Sequence, residues 1–217
     1  MLEVIDLLQP TIQRRRADPP DFALTRALGR AGVVILSSHL EGYIDALNIE
    51  AVDLFNRLDL PSSLLPEPLR LLHSRFVVEA LAATNWEGTA RARLLEEFVR
   101  EESWLWGTSF RGRIEPDRLL MWMKSPTPKA LKRYFRYWGI EDIFARITRK
   151  EHIRSTIWMR LTELVDKRNS IAHGDIATAA TRSDVQLYLS AVKTFAARAD
   201  SALAKQIGRT WSIDPPW

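Results

Sequence analysis

The chain has 217 residues, 46% of them apolar, enough for one domain with a real hydrophobic core. It contains no cysteine, which excludes disulfide scaffolds, thiolate nucleophiles and sulfur-ligated zinc or iron centres. The net charge of +4 is too mild to point to nucleic acid by itself, yet the stretch from Lys124 to Arg168 holds twelve Lys or Arg against five Asp or Glu.

The N-terminal MLEVIDLLQPTIQRRR carries an acidic residue at position 3 and no small-residue cleavage site after a long apolar run, unlike a secretory signal. No uninterrupted apolar stretch reaches membrane-spanning length, so a soluble, cytoplasmic protein without a membrane partner is expected. Arg14, Arg15 and Arg16 read as an exposed helix end, with phosphate contact as the alternative. After Asp18-Pro19-Pro20, the residues Val33, Leu36, Leu40, Ile44, Leu47, Ala51, Leu54 and Leu58 recur at steps of three or four. That spacing describes one stripe of a long helix ending before Pro61.

A second helix is expected from Pro66 through Leu69, Leu72, Phe76 and Leu81 toward Asn85, and a third from Thr89 to Glu102. The tryptophan-rich stretch 103–128 contains scattered Gly and Pro and reads as an irregular connection with short helical pieces. Its Trp104 and Trp106 are the two of the eight tryptophans whose loop setting leaves base stacking open. Helical spacing returns from Lys129 to Trp138, Gly139 breaks it, and a short turn follows from Glu141 to Ile147. Ile157, Leu161, Leu164 and Ile171 mark one face of a helix that Gly174 terminates as a left-handed cap. Ser183 or Asp184 can then cap a last helix that buries Val185, Tyr188, Val192, Phe195, Ala199 and Leu203, with a loose tail from Asp214 to Trp217. The expectation is one all-helical domain with its core over about 22–207 and a C-terminal tail over 210–217.

Steps of three and four from Ile157 land on Arg168, placing a cation in a core-facing slot. An unpaired buried guanidinium is costly, so Arg168 must meet a carboxylate such as Glu41, line a cleft, or face something anionic at an interface. Asn169 and His173 are four apart and share a neighbouring stripe, whereas Arg168 and His173 differ by about 140° around the axis. Cleaving RNA without metal requires a base for the ribose 2′-hydroxyl proton and a cation for charge growing on the phosphate. His173 and Arg168 supply those two functions, and Asn169 can orient the imidazole or hold a phosphate oxygen. The plain alternatives are a buried Arg168–Glu41 ion pair and a helix-terminal His favoured by the dipole. Lys132, Arg133, Arg136 and Lys167 are candidate RNA-phosphate contacts within the basic stretch. His39, His73 and His152 lack metal-ligand spacing and read as surface or packing residues. No metal and no cofactor are expected.

The segment from Leu161 to Gly174, LTELVDKRNSIAHG, resembles the signature of HEPN domains, in the branch known as RiboL-PSP-HEPN. Lys129 to Ile143 is similar to the helix and Gly-Ile turn that precede the motif helix in such proteins, and Ser38 to Tyr43 is similar to the polar step on their first long helix. The resemblance covers most of residues 22–207. It implies a compact helical bundle that forms a homodimer with two Arg-Asn-x-x-x-His motifs facing each other. It also implies an endoribonuclease leaving a 2′,3′-cyclic phosphate, with Arg168, Asn169 and His173 as its functional residues. The resemblance further implies an effector of toxin or defence systems with a cognate antitoxin as partner. Family members that no longer cut RNA supply the alternative: a module binding RNA, nucleotide or a partner protein.

Overall fold

A computed structural model describes residues 22–85, 88–107 and 112–217; Arg14, Arg15 and Arg16 lie outside them. The described residues form helices and contain no strand. In chain order these are α1 (Phe22–Arg57), α2 (Glu67–His73), α3 (Arg75–Ala83), α4 (Thr89–Glu102), α5 (Pro116–Leu120), α6 (Pro128–Tyr137), α7 (Ile143–Ile147), α8 (Glu151–Ala172) and α9 (Arg182–Trp211). Short 3₁₀ turns occupy Ser62–Leu64 and Ser103–Leu105. No helix among the described residues is long and apolar enough to cross a membrane.

The chain divides into two compact units, and α1 and α9 contribute residues to both. Of the described residues, the first contains 22–44, Ser125–Lys132 and Ile143–Ala202. Here the apolar stripes found by periodicity meet: Val33, Leu36, Leu40 and Ile44 of α1, Ile157, Leu161 and Leu164 of α8, and Val185, Tyr188, Val192 and Phe195 of α9 are all buried. Each such side chain contributes about 1.5–3 kcal/mol on leaving water, so this shared interior is what orders the three helices. Two details set how closely α1 and α9 approach. A Cβ on Gly32 would stand 3.2 Å from a Val185 methyl, and the Tyr43 hydroxyl donates to the Ala196 carbonyl at 2.9 Å. Burial, chiefly, pushes the Tyr43 phenol above its ordinary range, so it stays a neutral donor. Phe144 of α7 closes the interior with its ring 4.9 Å from Trp158 and 5.4 Å from Phe195.

The second unit is built from Asp45–Lys124, Arg133–Asp142 and Leu203–Trp217. Its interior continues the α1 stripe through Leu47, Ala51, Leu54 and Phe55, with Phe55 packed 5.5 Å from the Trp211 ring. Leu58 departs from the expected stripe: it is 41% exposed, because the helix ends at Arg57 and the chain turns at Asp59 with φ 51°. The second expected helix is two helices, α2 and α3, parted at Ser74. The reason lies at the junction, where the side chains of His73 and Ser74 both turn to the buried carboxylate of Glu102. Thr89–Glu102 matches expectation. The irregular stretch after it holds its course because side chains take over its backbone hydrogen bonds. Asn56 exchanges two 2.9 Å bonds with the backbone of Ile114, and the Asn48 amide donates to the Pro116 carbonyl at 2.8 Å. Trp104 is buried, which removes it as a base-stacking platform, while Trp106 stays 42% exposed with the Arg70 guanidinium 5.1 Å over its ring. Of the three single histidines, His39 and His152 are exposed and His73 is buried.

Candidate active site

Arg168, Asn169, His173, Lys167 and Glu41 all belong to the first unit, where the end of α8 packs beside α1 and α9. Arg168 is half-buried rather than sunk in the interior. Its Nη1 donates to Asn169 Oδ1 at 3.2 Å, and its Nη2 stands 3.6 Å from Glu41 Oε1. That last separation is an ion pair without a hydrogen bond, and the buried Glu41 Oε1 has no hydrogen-bond partner. Asn169 thus orients the guanidinium rather than the imidazole. The Arg fork keeps unused donors for an anionic ligand.

His173 is the C-cap of α8, with φ −81° and ψ 10°. Its ring is exposed and has no hydrogen-bond or charged partner among the described residues. The helix end that carries it is held by a Schellman motif. Gly174 takes φ 83° as expected, its N–H donates to the Ile171 carbonyl at 3.1 Å, and the Asp175 N–H donates to the Ser170 carbonyl at 3.0 Å. Only glycine adopts that backbone conformation without penalty.

The loop from Asp175 to Ala180 is fastened in three ways that inspection of the sequence missed. Asp175 folds it on itself: its carboxylate accepts from the Thr178 hydroxyl and the Ala177 N–H, and those bonds hold the Asp175 carboxyl below its ordinary pKa. From α1, Arg30 Nη1 donates to the carbonyls of Asp175 at 2.6 Å and Thr178 at 2.7 Å, and Arg26 donates to the Ile176 carbonyl. Finally, Ala180 rests on α1 at Gly29, where any Cβ would overlap the Ala180 carbonyl oxygen. The loop ends in a reciprocal cap. Thr181 N–H donates to Asp184 Oδ2 at 2.9 Å and Asp184 N–H to Thr181 Oγ1 at 3.1 Å, so the N-cap is Thr181, with Asp184 as its partner, and not Ser183 or Asp184. The Thr-x-x-Asp spacing was a visible signal for this. The Arg26 and Arg30 contacts, to residues some 150 positions away, had none.

Among the candidate RNA contacts, Lys167 is engaged: its amine lies 3.3 Å from Asp184 Oδ2 and 5.7 Å from the Tyr188 ring. Burial works against its charge, but Tyr188 and Asp184 outweigh it and raise the Lys167 pKa. Lys132 is half-buried in the first unit. Arg133 and Arg136 belong to the second. Both are exposed; Arg133 donates to the Tyr137 hydroxyl at 2.7 Å and stacks 4.6 Å over Trp122, and Arg136 pairs with Glu141 at 2.7 Å. The described residues contain no group of three or more acidic or histidine side chains arranged to hold a metal ion.

His73, expected as a surface or packing residue, anchors a buried polar centre in the second unit. His73 Nδ1 and Ser74 Oγ bond Glu102 Oε2 at 2.9 and 3.1 Å, Arg118 pairs with Glu102 Oε1, and His73 Nε2 accepts the Glu115 N–H at 3.1 Å. With one ring nitrogen bonded to Glu102 and the other to the Glu115 N–H, His73 is a structural group with no lone pair free for catalysis. Burial alone would push the Glu102 carboxyl up, but the bonds from His73, Ser74 and Arg118 prevail and lower it.

No curated protein and no solved structure matches the chain. The family model RiboL-PSP-HEPN matches residues 2–205. That span carries α1, the basic stretch, the whole Arg168-Asn169-x-x-x-His173 segment and most of α9, and the fold is helical throughout the described residues. The chain therefore belongs to the RiboL-PSP-HEPN family.

Proposed function

We infer that the chain is an endoribonuclease that cuts RNA by attack of a ribose 2′-hydroxyl on the adjacent phosphate. The 2′-oxygen forms a bond to phosphorus, the 5′-oxygen leaves, and a 2′,3′-cyclic phosphate remains on one product. One His173 takes the 2′-proton while its copy in a second subunit gives a proton to the departing 5′-oxygen, Arg168 binds the phosphate oxygens as charge builds on them, and Asn169 holds the Arg fork in place. These side chains furnish both the proton transfers and the charge, so the reaction is proposed to run without a metal ion. The observation that carries the reading is the pairing, on one helix end, of a half-buried guanidinium with an exposed imidazole that has no partner among the described residues.

The two groups leave α8 about 140° apart and about 7.5 Å apart along its axis, which is wide for one phosphate. A homodimer that brings the second motif opposite the first would supply a guanidinium and an imidazole from facing helices, and that assembly is part of the proposal. Arg133, Arg136 and Lys132 are proposed to bind RNA phosphates, and Lys167 to join them only by giving up Asp184. The cellular setting that fits such an activity is a cytoplasmic toxin or defence effector restrained by an antitoxin protein.

The test is incubation of purified protein with single-stranded RNA in EDTA, beside Arg168→Ala and His173→Ala. Cleavage by the wild type alone, with cyclic-phosphate ends and with resistance at a 2′-deoxy substituted position, supports the reading. Equal cleavage by all three proteins sinks it. RNA binding without cleavage in the wild type would favour a binding module instead.

A further inference from the structure

The imidazole proposed to move protons sits on the C-cap residue of α8, just past its last turn, a position where helices fray. General acid–base catalysis tolerates little misplacement: about 1 Å can cost on the order of 100-fold in rate. Something must restrain this helix end, and the Schellman turn alone leaves the loop beyond it free to swing. We propose that Arg30, together with the bare backbone at Gly29, is a positioning device for His173, a role that rests on the ribonuclease reading above.

The geometry is that of a clamp anchored on α1, the longest of the described helices. Arg30 projects from α1 next to the buried Val33 and Leu36 turns, so its base is fixed by the core. Its single Nη1 holds two carbonyls three residues apart, those of Asp175 and Thr178, which pins the loop's path at both sides of its turn. Asp175 is also the residue whose N–H closes the Schellman motif on Ser170. Two residues beyond His173, the same residue is thus bonded through its N–H to α8, through its carboxylate to its own loop, and through its carbonyl to α1. Arg26 repeats the contact one turn earlier at Ile176, and Gly29, between the two arginines, lets Ala180 lie directly on the helix backbone. A guanidinium suits the task because it stays charged at every working pH and its donors lie in a fixed plane. Arg30 itself touches no reacting atom in this scheme; it acts through the loop.

The test compares wild type with Arg30→Ala and Arg30→Gln, the second keeping helix propensity without the reach or the charge, and with Gly29→Ala. Two readouts are taken: kcat and KM on single-stranded RNA, and native-state hydrogen exchange at the Gly174 and Asp175 amides. The expected result is a kcat lowered about 10- to 100-fold with KM within about twofold, alongside lost protection at those two amides while the middle of α8 stays protected. Unchanged kcat in an active wild-type background overturns the clamp. A rise in KM with protection intact also overturns it, because Arg30 would then be binding substrate directly. If the wild type proves to cut no RNA, the ribonuclease reading fails separately and the exchange data alone decide whether the clamp orders the His173 turn.

Discussion

Arg168→Ala separates the catalytic reading from the structural one, because the two demand different energies. At 3.6 Å the bare Coulomb attraction between Arg168 and Glu41 runs from about 1 kcal/mol at the dielectric of water to about 5 kcal/mol at an effective value near 20. Both side chains keep roughly a third of their surface in solvent, at 31% and 32%. No hydrogen bond joins them, so desolvation and side-chain ordering cancel most of that attraction, leaving about 0–1 kcal/mol. The bond to Asn169 Oδ1 at 3.2 Å adds about 0.5–1.5 kcal/mol at most, and Asn169 is itself only half-buried and can rehydrate. Urea unfolding followed by tryptophan fluorescence should therefore show a loss of about 1 kcal/mol or less, which is half a molar or so in midpoint. RNA cleavage should fall by about 100- to 1,000-fold, the scale of removing one charge stabiliser from a transition state. A stability loss above about 3 kcal/mol, with activity falling only as the folded fraction falls, would refute this reasoning and make Arg168 a structural ion-pair partner.

Glu102→Ala strips His73, Ser74 and Arg118 of their common acceptor in a site where His73 and Glu102 are only 2% and 1% exposed, and should cost about 3–5 kcal/mol in the same urea assay. Because the Glu102 carboxyl is lowered in the folded state, its contribution is complete above its ordinary value near 4.5 and is lost as pH falls through the folded value. Acid titration of stability should accordingly be flatter below about pH 4.5 in Glu102→Gln than in wild type. Gly174→Ala forces a side chain into φ 83°, with nothing nearby for its methyl to strike. It should cost about 1–2 kcal/mol in thermal unfolding, and a cost near zero would mean the turn relaxes to another conformation.

Local signals were legible where the physics is local. Periodic apolar residues identified α1, α8 and α9, since a stripe at 3.6-residue spacing leaves water only by forming that helix, and Val33, Leu36, Leu40, Ile44, Ile157, Leu161 and Leu164 are buried as expected. Gly174 and Gly139 both adopt φ 83°, where the sequence alone indicated helix breaks. The motif residues Arg168, Asn169 and His173 stood out because a cation in an apolar stripe is a violation that asks for a reason. The Thr181–Asp184 cap was equally readable and was missed in favour of its neighbours.

Tertiary structure decided the rest. Polar side chains carry no periodicity that reveals their partners: nothing near His73 in the chain announces Glu102, and nothing near Arg30 announces Asp175, 145 residues away. The split between α2 and α3 at Ser74 follows from such a partner, so helix propensity through that stretch gave no warning of it. Likewise, spacing placed Arg168 toward the core, but only the packed helices determined that it would stop half-buried, bonded to Asn169 and short of a hydrogen bond to Glu41. Helices form from neighbours along the chain and can be read from them. Contacts between side chains on different helices depend on where those helices dock, and docking is settled by the whole core at once.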